Sequence, residues 1–413
     1  MSSRYILGLD IGTSSIKTCL VERGQGRVAV SKVSKERSAG LRKGTVSDLG
    51  EAVPAVSRVF EDLKKISRAA IRNIYVNVGT PQVKVQSSKG IVAVSRVDNE
   101  IYQDDIERVV KASQAVSLSP NRMVIHTITR EFLVDGVGDI ANPLGLSGSR
   151  LEVVSMVVDS FTPHMKSLMR LVEMSGGEIG GLVFNPLAGA RAALTKGQKE
   201  LGSVFIDIGA GTTSMAVYEE NKLLALQIFP VGGASITNDI AVGLKIPVAV
   251  AEDIKLQCGH ALAREVPSKE IIELGKYLPG AKNTVSRRFV AEVIESRLAE
   301  ILEFVNNELK LIQKSGNLAG GAVFAGGTAK LPGLAELAKQ ELRLSSHIGS
   351  PDLADIFGEG AAGEFQQLED PEFATALGLV LGGGDQEGWW QTGEPRQSLM
   401  KFDLKKFIRN FLP

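Results

Sequence analysis

Cysteine is nearly missing: Cys19 and Cys258 are the only two in 413 residues, far apart and each in an apolar or mixed setting. That excludes a disulfide framework or a paired-thiol motif and fits a reducing compartment. His126, His164, His260 and His347 stand without metal-ligand spacing, so no histidine-based metal centre is expected. Neither sign of charge is in excess, since Lys plus Arg and Asp plus Glu each total 47. Such a balance gives no case for nucleic acid, and an electrostatic partner has to be met by a local patch. No uninterrupted apolar run is long enough to span a bilayer. The N-terminus enters a strand pattern containing Asp10 in place of a signal-peptide core. The expectation is a cytoplasmic chain, unless another feature ties it to a membrane.

What the chain does have is a glycine-rich pattern that occurs twice. Val204 to Tyr218 reads VFIDIGAGTTSMAVY, two short strands around a turn of small residues. Gly209, Ala210 and Gly211 let the backbone turn tightly and bring its N–H groups near a ligand. Consecutive exposed N–H groups form an anion-binding nest, and the Thr212 and Thr213 hydroxyls add donors. Asp207, at the strand end, is repelled by a phosphate but suits a hydrated Mg²⁺ bridging phosphates. Near the N-terminus, Ile6 to Leu20 reads ILGLDIGTSSIKTCL and repeats the order with Asp10, Gly12, Thr13, Ser14 and Ser15. Lys17 follows, where its ammonium can reach a phosphate oxygen. One hairpin alone is an ordinary glycine turn; two copies imply two similar halves clamping one phosphate chain.

The length allows two or three domains and a sizeable core. Asp48 reads as the N-cap of a helix carrying Val53, Val56, Val59, Phe60 and Leu63. From 82 to 160 the texture changes to alternating strand segments around one helix pattern, a compact α+β insert with nothing catalytic in it. Asn185-Pro186-Leu187-Ala188 opens a small-residue helix suited to close packing between halves. Residues 288–312 form one long helix. Ala322 to Leu334, AVFAGGTAKLPGL, is a strand, a glycine pair and a helix start, where backbone can approach an adenine or ribose.

The composition then breaks. Residues 384–397 read as a flexible linker holding Trp389 and Trp390, the only tryptophans. After it, Met400, Leu404, Phe407, Ile408 and Phe411 fall on one helical face, flanked by Lys401, Lys405, Lys406 and Arg409. Basic residues beside such a face describe a helix lying in the membrane interface, drawn to anionic lipid. One short helix binds reversibly, so several copies on one assembly hold far better.

The two Asp-Ile-Gly hairpins, the NPLA helix start, the AEDIK helix and the FAGGTAKLPGL segment resemble the actin, Hsp70 and sugar-kinase ATPase superfamily. Within it, GLRKGTV, NPLGLSGSRLE, FPVGGASITNDIA, AEVIESR and the tail resemble the FtsA family of bacterial actin-like cell-division proteins. The resemblance implies an α/β fold of two duplicated actin-like (ribonuclease H-like) ATPase domains, an α+β insert of the subdomain 1C type and a C-terminal amphipathic helix. On that scheme 1–81 and 161–194 form subdomain 1A, closed by a helix at 373–383, and 82–160 is subdomain 1C. Residues 195–231 and 313–372 form 2A, 232–312 is 2B, 384–397 the linker and 398–413 the membrane helix.

The resemblance implies ATP as ligand, with Mg²⁺ facing Asp10 and Asp207. Gly12 to Ser15 with Lys17, and Gly209 to Thr213, would take the phosphates. Glu252 and Lys255 would approach the ribose, and Gly326, Gly327 and Thr328 the adenosine. The implied partners are further copies in a head-to-tail filament, anionic lipid at the cytoplasmic face of the membrane, later division proteins, and the tail of the tubulin-like FtsZ at the division site. Arg287, Arg288 and Arg297 mark the expected dock for that tail. Two departures bear on turnover: Ser214 stands where related proteins carry an acid or histidine, and Arg191 near where actin places a water-orienting glutamine. Neither side chain activates water well, which implies binding with slow or absent hydrolysis. The alternative is a PilM-type scaffold of a pilus system. A sugar kinase needs a carboxylate base that the second hairpin lacks beyond Asp207, and an Hsp70-like chaperone needs a substrate domain where only a tether and short helix follow.

Overall fold

The computed structural model describes residues 4–24, 27–115, 118–358 and 365–389. Residues 390–413, which include the expected amphipathic helix and most of the expected linker, lie outside the described residues.

Two five-stranded sheets are wound alike. In the first, Arg27–Arg37, Ser15–Gly24 and Arg4–Ile11 run antiparallel as neighbours, and Ile74–Val78 and Ile179–Phe184 continue the sheet in parallel. In the second, Lys222–Phe229, Thr213–Glu219 and Ser203–Ile208 are antiparallel, followed in parallel by Gly321–Ala325 and Ser346–Ile348. The duplication seen in the two hairpins thus extends through both sheets. Ile74–Val78 and Gly321–Ala325 are buried at every residue, as parallel strands covered on both faces must be. Helix Leu49–Lys64 beside the first sheet starts as read: Asp48 Oδ1 accepts from the Gly50 and Glu51 N–H groups at 2.7 and 3.3 Å.

The lobes meet through helices made of small residues. In Asn185–Ala193, a Cβ on Gly189 would lie 2.4 Å from the Phe205 ring of the second sheet. The buried ring is worth roughly 1.5–3 kcal/mol, which any larger residue at 189 would forfeit. Helix Ala374–Glu387 crosses the same helix so closely that a Cβ on Gly378 would lie 1.7 Å from the Ala188 carbonyl oxygen.

That last helix corrects the expected linker boundary. It runs four residues past Gly383, to Glu387, and Trp389 is buried too. The Gly382 to Gly384 run is buried within this helix, and a Cβ on Gly383 would sit 2.7 Å from the Tyr75 ring. Glycine's weak helix propensity is overridden by this packing. The Arg23 guanidinium lies 6.0 Å from the Trp389 ring.

The insert is an antiparallel sheet in the order Lys84–Ala93, Arg150–Phe161, Arg122–Val134, Val137–Ile140, with helix Gln103–Ser113 packed through Ile106 and Val109. Its stem is tied by Arg122, which pairs with buried Asp159 and donates to the Gln82 carbonyl at 2.8 Å.

Candidate functional site

Between the lobes lies a cavity of about 400 Å³ into which both glycine hairpins open. The two turns close in the same way. The Gly12 N–H donates to Ser15 O at 3.1 Å, and the Gly209 N–H donates to Thr212 O at 3.0 Å. They also touch across the gap, since a Cβ on Gly211 would lie 2.6 Å from Thr13 Oγ1 and 3.0 Å from Lys43 Cα. The Gly44 N–H donates to Thr13 Oγ1 at 3.2 Å, holding that hydroxyl at the boundary. Two small-residue turns facing one another can clamp one polyanion between backbone N–H groups.

Of the residues read from sequence, Asp10, Gly12, Thr13, Ser14, Ser15, Lys17, Asp207, Gly209, Ala210, Gly211 and Thr212 line this cavity. So do Glu252, Lys255, Gly326, Gly327 and Thr328. Thr213 does not: it is buried, and its hydroxyl donates to Val231 O at 2.9 Å. The strand's two-residue alternation turns 213 into the core and brings Ser214 to the cavity instead. The Ser214 Oγ is buried without a hydrogen-bond partner among the described residues. Arg191 is turned away as well, its Nε donating to Asp385 Oδ2 at 3.0 Å on the closing helix.

Carboxylates from both lobes sit at the cavity floor. Asp10 Oδ1 accepts from Asn77 Nδ2 at 2.8 Å, and its Oδ2 from Lys17 Nζ at 3.2 Å. Asn77 in turn accepts the Ile11 N–H at 2.7 Å, so its amide orientation is set by backbone. Burial alone would lower the Lys17 pKa, but the Asp10, Glu372 and Asp207 charges outweigh it and hold the ammonium above its ordinary range. Asp207 is pushed up to about 6 by burial and by the Asp10 charge, despite Lys17 and a hydrogen bond from Thr375. Gly326, at φ +88°, packs directly on it: a Cβ there would lie 2.3 Å from Asp207 Oδ1. Among the described residues no three His, Cys, Asp or Glu side chains converge on one point. The arrangement therefore suits a hydrated Mg²⁺ shared between one or two carboxylates and a phosphate chain, not an all-protein cage. A divalent cation would also relieve the repulsion that raises Asp207.

On the second lobe, Lys255 Nζ donates to Glu252 Oε2 at 2.7 Å, Thr237 Oγ1 at 2.8 Å and Gly233 O at 3.2 Å. This buried ammonium fixes Glu252 at the rim, where the carboxylate of the ion pair can receive sugar hydroxyls. Gly327 opens onto free space, and a Cβ there would meet nothing within 4 Å. Sequence reading missed Lys35, Asn77, Asn185, Lys330 and Glu372, which also line the cavity. Lys330 lies inside the AVFAGGTAKLPGL segment and Asn185 opens the NPLA helix, whereas Lys35, Asn77 and Glu372 belong to no motif and reach the cavity only through the sheet order and the crossing segment.

The three arginines lie on helix Arg287–Leu311, away from the cavity. Arg297 forms a fork with Asp239 at 2.6 and 3.0 Å and also meets Glu300. Arg287 donates to Cys258 O at 2.8 Å and to Glu270 at 2.5 Å. Arg288 gives its Nε–H to Val266 O at 2.9 Å, and its remaining N–H groups have no partner among the described residues.

Among solved structures, the chain is similar to one described as the PilM-PilN type IV pilus biogenesis complex, with a TM-score of 0.64 and 19% identity over 92% of this chain and 98% of that one. It is also similar to MreB5 of Spiroplasma citri bound to ADP, with a TM-score of 0.55 and 13% identity over 93% of this chain and 98% of that one. These likenesses show the actin-like fold. A family model described as the SHS2 domain inserted in FtsA matches residues 81–158, and the model for cell division protein FtsA matches 204–378. The cell division protein FtsA of Bacillus subtilis is 34% identical over 379 residues, covering 92% of this chain and 83% of that protein. Identity at that level across nearly the whole length separates the chain from neighbours that share only the fold: it belongs to the FtsA family of cell division proteins.

Proposed function

We propose that the chain binds ATP with Mg²⁺ in the inter-lobe cavity and assembles head to tail at the cytoplasmic face of the membrane, where it holds FtsZ at the division site. The observation that carries the nucleotide part is the pair of identically closed glycine turns in contact through Gly211 and Thr13. Asp10 and Asp207 are the residues that would face the ion, whose role when bound is to neutralise the phosphate chain. Lys17 and the hairpin N–H groups orient the phosphates. Glu252 and Lys255 take the ribose side, and the Gly326 to Thr328 backbone takes the adenosine side.

Turnover in this reading is slow. Ser214 and Asn185 offer water a hydroxyl and an amide, and neither accepts a proton readily at neutral pH. ATP then acts as a conformational ligand whose binding favours one arrangement of the lobes.

The membrane role belongs to the basic, apolar-faced segment 398–413 and the FtsZ role to the region of Arg287, Arg288 and Arg297. With Arg287 and Arg297 engaged by neighbouring acids, Arg288 is the arginine with most capacity left for a partner's carboxylate. The PilM-type reading rests on fold alone, at 19% identity. The test is co-sedimentation of FtsZ with anionic liposomes. FtsZ should pellet only when the full chain and ATP are present, and FtsZ lacking its C-terminal tail should stay in solution. Equal pelleting without the chain, or with tailless FtsZ, contradicts the tethering role.

A further inference from the structure

Ile179–Phe184 is the outermost parallel strand of the first sheet, paired among the described residues only with Ile74–Val78. The N–H of its last residue, Phe184, points off that open edge, where a buried donor left unpaired is costly. The insert supplies the acceptor. His126, on strand Arg122–Val134, is 2% exposed, and its Nε2 takes the Phe184 N–H at 2.9 Å. Phe184 is fully buried and is the N-cap of helix Asn185–Ala193, where it makes no side-chain hydrogen bond. The next residue, Asn185, lines the inter-lobe cavity, and its Oδ1 has no partner among the described residues. The same amide rests on Gly79, which also lines the cavity: a Cβ there would lie 2.9 Å from Asn185 Nδ2.

We propose that His126 is a positioning residue for nucleotide binding: holding Phe184 from the insert, it sets where Asn185 stands in the cavity. The proposal rests on the nucleotide-binding reading above. The hydrogen-bonded N–H and the Asn185 side chain are one residue apart, about 3.8 Å from Cα to Cα, so the chain between them has little slack. Without the His126 acceptor the Phe184 N–H is buried and unpaired. A shift of the strand end relieves that, and Asn185 moves with it. Asn185 offers the ligand a planar amide, whose Nδ2 donates to a phosphate oxygen and whose Oδ1 accepts from a hydroxyl. The insert, which contributes no side chain to the cavity lining, thereby takes part in ligand binding.

The test is a double-mutant cycle on the affinity for ATP with Mg²⁺. Full-length wild type, His126→Leu, Asn185→Ala and the double variant are titrated at a temperature where melts show each folded. His126→Leu, which has no acceptor, is expected to weaken binding about five- to tenfold. In the Asn185→Ala background the same change should cost less than about twofold, because the side chain it positions is gone. His126→Gln, whose Oε1 can accept the same N–H, should stay within about twofold of wild type. A purely structural His126 would lower the melting temperature in both backgrounds without this interdependence. Unchanged affinity in His126→Leu, a loss of equal size in both backgrounds, or a Gln variant as weak as the Leu variant overturns the proposal. If His126→Leu does not fold, hydrogen exchange of the wild type decides. ATP with Mg²⁺ should slow exchange of the Phe184 amide about threefold more than that of Val76 or Phe324 in the sheet cores, and equal slowing overturns the proposal. Wild type that does not bind the nucleotide removes the nucleotide-binding reading itself before any variant is compared.

Discussion

Thr375, in the first turn of the closing helix, donates its hydroxyl to Asp207 Oδ2 of the second sheet at 3.1 Å. Through this bond the acid at the cavity floor is held by the chain that crosses from one lobe to the other. The same crossing is tied a few residues earlier, where the Gly326 N–H donates to Pro371 O at 3.0 Å. Asp207 therefore sits at the hinge as well as in the site, and a charge change there is felt by both.

The first prediction concerns that charge. Asp207 has its pKa pushed to about 6, above the ordinary 3.8. The folded chain then binds more protons than the unfolded one between about pH 4 and 6, so stability falls as pH rises through this window. The full cost, about 3 kcal/mol for a shift of two units, is present above pH 6. Asp207→Asn should raise the melting temperature of the nucleotide-free protein at pH 7.5 and abolish the further rise given by ATP with Mg²⁺. Thermal unfolding with and without MgATP measures both.

His126 gives the opposite sign. Its Nε2 accepts the Phe184 N–H at 2.9 Å, which requires the neutral ring, and burial lowers its pKa to about 4 from 6.5. The folded state binds fewer protons than the unfolded state between these values, so stability is lost as pH falls from about 6.5 toward 4. The loss is on the order of 3 kcal/mol when complete. Urea unfolding at pH 5.0 and 7.5 should show it, and His126→Gln should flatten the acid limb.

Gly211→Ala tests the contact between the two turns. The added methyl would meet Thr13 Oγ1 and the Lys43 backbone, so the turns must move apart. Nucleotide affinity is expected to fall about tenfold or more, with the stability of the nucleotide-free protein within about 1 kcal/mol of wild type. Isothermal titration and a melt on one preparation separate the two effects.

Much of this was legible in the sequence because the hairpins are local. Asp10 to Lys17 and Asp207 to Thr212 lie within a few residues of each other, so turn chemistry and strand alternation announce them. Lys35, Asn77 and Glu372 were not legible, since each reaches the cavity only through sheet order or the crossing segment, and Thr375 meets Asp207 only by way of that segment. Thr213 was misread for a simpler reason: paired hydroxyls look alike in sequence, yet alternate residues of a strand face opposite ways. Gly384 read as the start of a linker because propensity says nothing about the packing, such as that of Gly383 on the Tyr75 ring, that carries the helix on to Glu387. The pairing of Arg297 with Asp239 and of Arg287 with Glu270 gave no sign in the sequence, because these acids stand well apart from the helix that carries the arginines.

Those pairings yield a further prediction. Arg297→Ala removes the fork to Asp239 and should destabilise the protein by about 1 kcal/mol, the part-exposed pair being screened by solvent. Arg288→Glu, which gives up the bond to Val266 O, should lower the melting temperature slightly and weaken binding of an FtsZ tail peptide about tenfold. Peptide titration by fluorescence anisotropy distinguishes the two arginines.

The most direct test is sedimentation with anionic liposomes in the presence of ATP, comparing the full chain with one ending at Gln397, followed by electron microscopy of the pellets. The expected result is that only the full chain pellets with lipid and forms filaments on the membrane, and that neutral liposomes bind it less. Equal behaviour of the two chains would contradict a membrane-tethered, actin-like division protein.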